Sequence, residues 1–244
     1  MTPERFEKLK AILLRRQPDL TVLADDVHKS HNIAAVLRTC DAVGVYRVHA
    51  VSPRGEIRRH HMVSGGSRRW VDLVIHPDVN QALSAMKAEG WRLIAAHPGE
   101  SSRDYRAVDY TGKIAVLLGA ELDGLTPQLV EVADETVAIP MEGMVGSLNV
   151  SVAAALILYE AQRQRREAGL YDVCRLPREE FEATLFEWAY PEVAKRCRKR
   201  GIGYPLLKDD GSLSENPLQV DCADDKAGTP KGFGRLRWRS GKWT

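Results

Sequence analysis

The chain has 244 residues, of which 44% are hydrophobic, and a formal net charge of +2. This length accommodates one substantial domain with extensions or two small domains, and the apolar fraction is sufficient for a real core. No apolar run reaches the roughly 18 residues of a membrane span, and the charged first residues lack the apolar segment of a signal peptide. We therefore expect a cytoplasmic protein without membrane association.

The first part of the chain predicts a helix, a strand and a second helix. The segment Thr2-Pro3-Glu4 is typical of a helix start, because threonine can cap the helix and proline suits its first position. The apolar stripe of this helix is Phe6, Leu9, Ile12 and Leu13. Pro18 ends the helix, and a strand follows at 20–23. The stripe of the second helix is Ile33, Val36, Leu37 and Cys40. Gly44 closes it.

The middle of the chain alternates strands with helices. Strands are predicted at 46–51, 70–75, 91–96, 113–118 and 136–139, and the strand at 113–118 is nearly all apolar, as a strand buried on both faces should be. Helices are predicted after Asp78, at 126–133, and from Ser147 to about Arg166, the last with a stripe of Leu148, Val152, Ala155, Leu156 and Tyr159. This alternation predicts an α/β fold with a mostly parallel sheet and helices on both faces.

The character of the chain changes after Gly169. Residues 176–200 predict one or two helices that carry large aromatic side chains. The end of the chain, from about Asp209, is rich in Gly, Asp, Ser and Lys, and we expect its last part, 221–244, to be poorly ordered. Trp238 and Trp243 lie among basic residues and could stack on bases. A loose terminus is the preferred interpretation.

Basic residues are concentrated in four clusters although the net charge is small. The clusters are Arg15-Arg16; Arg58, Arg59, Arg68 and Arg69; Arg163, Arg165 and Arg166; and Lys195, Arg196, Arg198, Lys199 and Arg200. One such cluster alone is typical of a solvated surface. Four clusters in one chain favour a phosphate backbone as partner, and RNA in particular.

The cysteines and histidines do not predict a metal site. No Cys-x-x-Cys motif is present, and the adjacent pair His60-His61 is not spaced for one helix face. The cysteines are Cys40, Cys174, Cys197 and Cys222. We expect them to be reduced and mostly structural.

Three loops follow predicted strands where an α/β sheet binds its ligands, namely those after residues 96, 118 and 139. Gly119 and Gly124 allow close backbone approach in the second loop, and Ile139, Met141 and Leu148 could form apolar walls. No Gly-Lys-Ser/Thr follows the glycines, and no G-x-G-x-x-G follows the first strand. These absences argue against a Walker phosphate loop and a dinucleotide site.

The segment 143–149 predicts a flexible loop that leads into a helix. In the simplest interpretation, Ser147 caps that helix and the glycines form the turn. This does not explain Asn149, a polar residue in the first turn beside an apolar stripe. For Ser147, capping and a functional role stay equally open.

Three segments together carry a family resemblance. They are His31-Asn32-Ile33-Ala34-Ala35-Val36-Leu37-Arg38-Thr39, Leu118-Gly119-Ala120-Glu121-Leu122-Asp123-Gly124-Leu125, and Ile139-Pro140-Met141 with Ser147-Leu148-Asn149-Val150-Ser151-Val152-Ala153. In this order they resemble the three motifs of the SpoU branch of the SPOUT methyltransferases. That family transfers a methyl group from S-adenosylmethionine to an RNA ribose 2′-hydroxyl and releases S-adenosylhomocysteine. The resemblance spans about residues 20–165 and implies a C-terminal deep trefoil knot and a homodimer that packs through the knot region.

The resemblance also implies site residues. The catalytic set is Asn32, Arg38, Glu121, Ser147 and Asn149. The cofactor-binding set is His97, Gly119, Ala120, Glu121, Ile139, Met141, Ser147, Leu148 and Asn149. With the basic clusters, the expected RNA contacts are Arg15, Arg16, His31, Arg38, Arg163, Arg165, Lys195, Arg196 and Arg198.

The family places the motif 1 arginine, here Arg38, beside the 2′-hydroxyl. A guanidinium holds its proton strongly, so two routes stay open. Arg38 is deprotonated by its surroundings, or it binds the adjacent phosphate and the phosphate takes the proton. Asn32 either fixes Arg38 or the ribose-phosphate, or caps the helix that begins near His31. Glu121 braces the knot loops or contacts Asn32 or Ser147.

The layout narrows the expected substrate. We predict an N-terminal helical extension (1–19) that binds tRNA, a catalytic domain (20–168), a C-terminal helical extension (169–220) and the tail (221–244). This arrangement resembles the family members that methylate guanosine 18 in the D-loop of tRNA. Methylation of another tRNA or rRNA nucleotide is the alternative, and a non-catalytic RNA-binding protein is a more distant one. We expect no binding to DNA. Arg38 and the cofactor could come from different subunits of the dimer.

Overall fold

The computed structural model describes residues 1–25, 27, 30–52, 69–120, 124–214, 238–239 and 242–243. The chain divides into two units. The core unit is Arg15–Arg175, and the helical unit combines Met1–Leu14 with Leu176–Thr244. The first helix therefore belongs with the C-terminal helices, while residues 15–19 and 169–175 belong with the core. Across the described ranges, no helix has the length and apolarity to cross a membrane.

The core unit contains a seven-stranded parallel sheet. The strands in chain order are β1 (Leu20–Asp25), β2 (Arg47–Val51), β3 (Asp72–His76), β4 (Arg92–Ala96), β5 (Arg103–Asp104), β6 (Ile114–Leu118) and β7 (Glu135–Ala138). Their spatial order is β3-β2-β1-β6-β4-β7-β5. The central neighbours β1 and β6 are buried along their whole length, as the apolar run at 113–118 predicted.

The helices in chain order are α1 (Pro3–Leu14), α2 (Ser30–Ala42), α3 (Val79–Ala88), α4 (Pro127–Val132), α5 (Val150–Glu167), α6 (Arg178–Ala189) and α7 (Pro191–Arg200). One hydrophobic cluster joins one face of the sheet to α2 and α5, and a second joins the other face to α3 and α4. The prediction of a parallel α/β sheet with helices on both faces is confirmed.

Several local predictions are confirmed by hydrogen bonds and burial. Thr2 caps α1, because its Oγ1 accepts from the backbone N–H of Arg5 at 3.3 Å. Asp78 caps α3, because its Oδ1 accepts from the backbone N–H of Gln81 at 2.9 Å. All four stripe residues of α2, Ile33, Val36, Leu37 and Cys40, are buried.

The prediction for α5 is wrong about both its start and its buried face. The helix begins at Val150, so Asn149 rather than Ser147 is the N-cap. Val152, Leu156 and Tyr159 are 47%, 38% and 51% exposed. The buried positions are Ala154, Ile157, Leu158, Ala161 and Arg165. Both faces of this helix carry apolar residues, and several of the buried ones are small alanines. The spacing of the larger apolar side chains therefore led to the wrong prediction of the buried face.

The helical unit is built on α1 and α6, which pack together, and α7. Phe6 of α1 lies against Gly211, and the hydroxyl of Tyr190 donates to the carbonyl of Gly211 at 2.8 Å. Phe186 stacks on Tyr204 with 4.8 Å between the ring centroids. Of the tail, the structure describes only the backbone pairing of Trp238–Arg239 with Lys242–Trp243. The rest of 221–244 and the side chains of Trp238 and Trp243 lie outside what the structure describes, so the disorder of the tail and the base stacking stay predictions.

Candidate functional site

Three of the predicted ligand loops meet at the carboxyl edge of the sheet. They follow β6, β4 and β7, which are adjacent in that order. His97 directly follows β4, and its backbone N–H donates to the carbonyl of Val137 in β7 at 3.0 Å. Gly119 follows β6, and Ile139 follows β7. Parallel α/β sheets bind ligands at this edge, so the sheet brings the predicted cofactor loops together.

The loop after β6 doubles back on itself at Gly119. A Cβ atom on Gly119 would lie 2.1 Å from both the carbonyl carbon and the oxygen of Gly124. Ala120 pairs with Gly124 in an antiparallel bridge, and Gly124 has a φ of 66°. This close approach of the two backbone segments requires glycine at position 119. Glu121 and Asp123 lie outside the described residues.

Two amide side chains from motifs 1 and 3 meet between α2 and the start of α5. Asn149 Nδ2 donates to Asn32 Oδ1 at 3.3 Å. Asn149 Oδ1 accepts from the backbone N–H of Ser151 at 2.8 Å and from the Ser151 hydroxyl at 2.6 Å. Asn149 thus caps α5 and contacts Asn32 with the same amide group.

The other end of Asn32 has an unusual environment. Asn32 is 2% exposed, and its Nδ2 is buried without a hydrogen-bond partner among the described residues. A buried amide donor without an acceptor is costly, and such groups are rare in native proteins. α2 begins at Ser30, so Asn32 lies inside the helix and is not its cap. The orphaned donor fits a site that receives an acceptor oxygen from a bound molecule.

Arg38 and His31 are exposed residues of α2. The hydrogen bonds within the described ranges do not connect the Arg38 guanidinium to Asn32 or Asn149. Within one chain, the structure therefore joins Asn32 to Asn149 but does not join Arg38 to either of them.

The motif 3 loop lies largely in solvent. Ser147 is exposed, while Ile139, Met141 and Leu148 are half-buried. Ile139 packs against the cluster that holds α2 and α5. The half-buried side chains could form the apolar walls that the sequence predicted, and Ala120 is also half-buried at the neighbouring loop.

Two of the predicted RNA-contacting arginines are structural residues, and the prediction is wrong for them. Arg165 is fully buried, and its guanidinium donates to Asp19 Oδ1, Gln17 Oε1 and the carbonyls of Tyr110, Asp19 and Gly112. Arg16 is 1% exposed and donates to the carbonyls of Asp41 and Val45 and to the Asp41 carboxylate. Neither guanidinium is accessible to a phosphate.

The other predicted RNA contacts are exposed, but two of them form ion pairs. Arg163 bonds to Glu160 and Glu167. Arg198 bonds to Glu187 and to the Tyr204 hydroxyl. Arg15, Lys195 and Arg196 have exposed side chains. Of the cluster at 58–69, only Arg69 belongs to the described residues.

Other reactive groups give no second site in the described part of the chain. Burial raises the pKa of the Cys40 thiol far above its usual range, so it stays protonated. No group of three or more His, Cys, Asp or Glu side chains among the described residues could hold a metal ion.

Ser151, whose hydroxyl and backbone N–H both donate to Asn149, is not among the predicted site residues. The signal that could have found it is the Asn-x-Ser spacing. An Asn side chain at an N-cap accepts from a backbone N–H two residues later, which here belongs to Ser151.

Comparisons with known proteins agree with the resemblance. Residues 19–159 match the SpoU rRNA Methylase family, and residues 163–216 match a SpoU rRNA methylase C-terminal family. A tRNA (guanosine(18)-2′-O)-methyltransferase of Thermus thermophilus is 51% identical over 187 residues, which are 77% of this chain and 96% of that protein.

Two solved structures extend this similarity to the fold. The Aquifex aeolicus TrmH/SpoU tRNA modifying enzyme is 41% identical, with a TM-score of 0.71 over 78% of this chain and 97% of that chain. The SpoU methyltransferase AviRb from Streptomyces viridochromogenes, in complex with its cofactor AdoMet, is 29% identical, with a TM-score of 0.56 over 63% of this chain and 64% of that chain. Because the first family match covers more than half of the residues and the motifs occur within it, the chain belongs to the SpoU rRNA Methylase family.

Proposed function

We propose that this protein transfers a methyl group from S-adenosylmethionine to the ribose 2′-hydroxyl of guanosine 18 in the D-loop of tRNA. The observation that carries the proposal is the contact between Asn32 and Asn149 beside the loops at the sheet edge. These residues come from motifs 1 and 3 of the family, and the buried Asn32 donor has an unused hydrogen bond. Family membership and the tRNA-modifying relatives support both the chemistry and the class of RNA.

The residues at the sheet edge fit S-adenosylmethionine. The cofactor supplies a methyl group on a sulfonium, which is transferred by in-line displacement. Close backbone approach at Gly119 and Ala120 suits the adenine edge, and Ile139, Met141 and Leu148 provide apolar walls. His97, Glu121, Ser147 and Asn149 complete the proposed binding set. We propose that the loops after β6 and β7 form the trefoil knot that family membership implies.

The protein contributes positioning and proton handling at the 2′-hydroxyl. We assign to Arg38 the position beside the nucleophile, where positioning supplies much of the rate. A lysine at position 38 can still bind the adjacent phosphate and loses its proton more readily than arginine, so we expect Arg38→Lys to retain more turnover than Arg38→Ala by either proton route.

The test of the function is methyl transfer from labelled S-adenosylmethionine to an unmodified tRNA transcript. The modified nucleotide is mapped by nuclease digestion and mass spectrometry, and a transcript with adenosine at position 18 is the matched control. We expect 2′-O-methylguanosine at position 18 only. Methylation at another nucleotide would support the proposed methyl transfer but would contradict guanosine 18 as its target. Cofactor binding without transfer to any RNA would overturn the enzymatic function.

The first testable prediction concerns Arg38→Ala. We expect turnover to fall by about a thousandfold or more, because the variant lacks the group that positions the nucleophile. The dissociation constant for S-adenosylmethionine, measured by calorimetry, should stay near the wild-type value. Lys87→Ala on α3 is a control for the loss of an exposed cation. Appreciable turnover in Arg38→Ala would contradict the assignment.

We further propose that the protein is a homodimer. The outer face of α5 lines an apolar groove of about 380 Å³. Its lining is Tyr105, Val152, Ala155, Leu156, Tyr159, Glu160 and Arg163. The groove lies on the helix that begins at the site, so a second copy of this chain packed there would bring its own residues near Asn149. This arrangement accounts for the separation of Arg38 from the Asn32–Asn149 pair within one chain.

Exposed basic residues outside the sheet edge are the proposed contacts to tRNA. The exposed basic residues Arg15, Lys195 and Arg196 are the proposed contacts to the tRNA backbone, together with His31, Arg163 and Arg198. We propose that the protein acts on its tRNA substrate in the cytoplasm. The domain boundaries predicted from the sequence, with tRNA binding by the first helix, stay proposals.

A further inference from the structure

We propose that Ser151 is a positioning residue that sets Asn32 as a hydrogen-bond donor toward the bound substrate or cofactor. The inference rests on the proposed function for its kinetic consequence. The geometry itself is a chain of hydrogen bonds that runs from Ser151 through Asn149 to Asn32.

The first step is the orientation of the Asn149 amide. The Ser151 backbone N–H is only a donor, and it lies 2.8 Å from Asn149 Oδ1. If the amide were turned over, its NH₂ group would face this N–H, and two donors would oppose each other. The Ser151 hydroxyl, at 2.6 Å from the same oxygen, adds a second bond to the same orientation.

The orientation of the Asn149 amide determines which atom of Asn32 it contacts. With its oxygen held by Ser151, Asn149 directs its NH₂ group to Asn32 Oδ1 at 3.3 Å. The carbonyl side of Asn32 is therefore occupied, and the NH₂ side is the one that remains. That NH₂ group is the buried nitrogen without a partner.

The free NH₂ group of Asn32 determines what this residue can bind. An amide NH₂ donates and cannot accept a proton, so Asn32 recognises an acceptor oxygen such as a phosphate, ribose or carboxylate oxygen. It is not the group that receives the 2′-hydroxyl proton. Ser151 acts through its two hydrogen bonds to Asn149, which makes its role one of positioning.

The kinetic test compares Ser151→Ala with Ser151→Thr. Threonine keeps the hydroxyl, whereas alanine keeps only the backbone N–H that caps the helix. We expect kcat/KM of Ser151→Ala for tRNA to fall about three- to tenfold, the effect of one hydrogen bond. A bond from Asn32 to bound tRNA or to bound S-adenosylmethionine contributes to binding, so the KM for tRNA or the dissociation constant for S-adenosylmethionine should rise. Ser151→Thr should regain most of kcat/KM. Ser84→Ala removes an exposed hydroxyl from α3 and controls for a helical Ser→Ala change.

A second readout does not depend on catalysis. Hydrogen exchange of the Asn149 and Asn32 side-chain amides, followed by NMR in the cofactor-free protein, should accelerate in Ser151→Ala and not in Ser84→Ala. Unchanged amide exchange in Ser151→Ala, or equal losses of kcat/KM in the alanine and threonine variants, would overturn the proposal. If the wild-type protein transferred no methyl group to tRNA, the proposed function would fail, and the amide exchange would still decide the role of Ser151.

Discussion

At the scale of single residues, Gly119 is the most constrained position of the candidate site. Its α-carbon lies against the backbone of Gly124, so no side chain can be added without moving backbone. Gly124 differs, because a Cβ there would meet nothing within 4 Å, although its φ of 66° is unfavourable for other residues. The two glycines of one loop are therefore constrained for different reasons.

This difference gives a paired prediction. We expect Gly119→Ala to lose most S-adenosylmethionine binding, with a dissociation constant raised by more than about tenfold, because the loop must open to relieve the backbone overlap. Gly124→Ala carries only conformational strain of about 1 kcal/mol, so its affinity should change less. Calorimetric titration with the cofactor measures both variants. Equal affinities for S-adenosylmethionine in Gly119→Ala and the wild type would contradict the close approach of the backbone at Gly119 and Gly124.

The sequence predicted the members of this site better than their contacts. The resemblance to the family motifs identified Asn32, Gly119 and Asn149. It could not show that Asn149 caps α5, since Ser147 is an equally good capping residue by type. It also could not show that Arg165 is buried and Arg163 exposed. This difference depends on the acceptors around each guanidinium, which are known only from the structure.

At the scale of elements, Arg165 attaches the last turn of α5 to the sheet. Its guanidinium bonds to the Asp19 carboxylate just before β1 and to the carbonyls of Tyr110 and Gly112 just before β6. Arg175 bonds to the same carboxylate. The planar guanidinium satisfies several acceptors at once, which a lysine cannot do. One side chain therefore connects α5 to the beginnings of the two central strands.

We predict that Arg165→Leu lowers the free energy of unfolding by about 3 kcal/mol, because it leaves buried acceptors and a carboxylate without their donor. Arg163→Leu, two residues earlier and exposed, should leave the unfolding free energy near the wild-type value. Urea unfolding followed by circular dichroism measures both. Equal denaturation midpoints for the two variants would contradict a structural role of Arg165.

The prediction of elements succeeded where one physical signal dominated. The apolar run of β6 and the caps at Thr2 and Asp78 were each specified by local residues. The face of α5 was not, because apolar residues surround most of its first turns. Which side faces the sheet depends on packing within the buried cluster that Ala154 and Ala161 share with residues of α2, and this is a tertiary property.

At the scale of the whole molecule, the exposed apolar face of α5 carries the proposal of a dimer. Val152, Leu156 and Tyr159 lie in a groove that also contains Tyr105. Contiguous exposed apolar surface next to a functional site is typical of an interface. Neither the groove nor the homodimer could be read from helical spacing, which had assigned these side chains to the core.

We predict that Leu156→Asp converts a dimer to a monomer, because a charge in an apolar interface must be desolvated without a partner. Sedimentation velocity at micromolar concentration measures the change. Leu14→Asp is the matched control, since Leu14 and Leu156 are both 38% exposed. Methyl transfer should be lost together with the dimer if Arg38 and the cofactor come from different subunits. A wild-type monomer at this concentration would refute the dimer.

The basic surface of α7 gives a prediction about tRNA binding. Replacing Lys195, Arg196 and Lys199 together by glutamine should weaken tRNA binding and reduce the slope of log affinity against log salt by about two to three, because fewer counterions are released. kcat at saturating tRNA should change little. Arg178→Gln on α6 controls for loss of an exposed cation that is already paired with Glu182. An unchanged salt slope would remove α7 from the tRNA interface.

The cap of α5 has a thermal consequence. Helix ends open at lower free energy than the centres of elements, and Asn149 forms both the end of α5 and the link to Asn32. Opening of the first turn of α5 therefore releases the Asn32 amide while the sheet and the Arg165 attachment remain folded. On warming, activity should decline below the temperature of global melting. The working range of such an enzyme is then limited by the fraying of one helical turn.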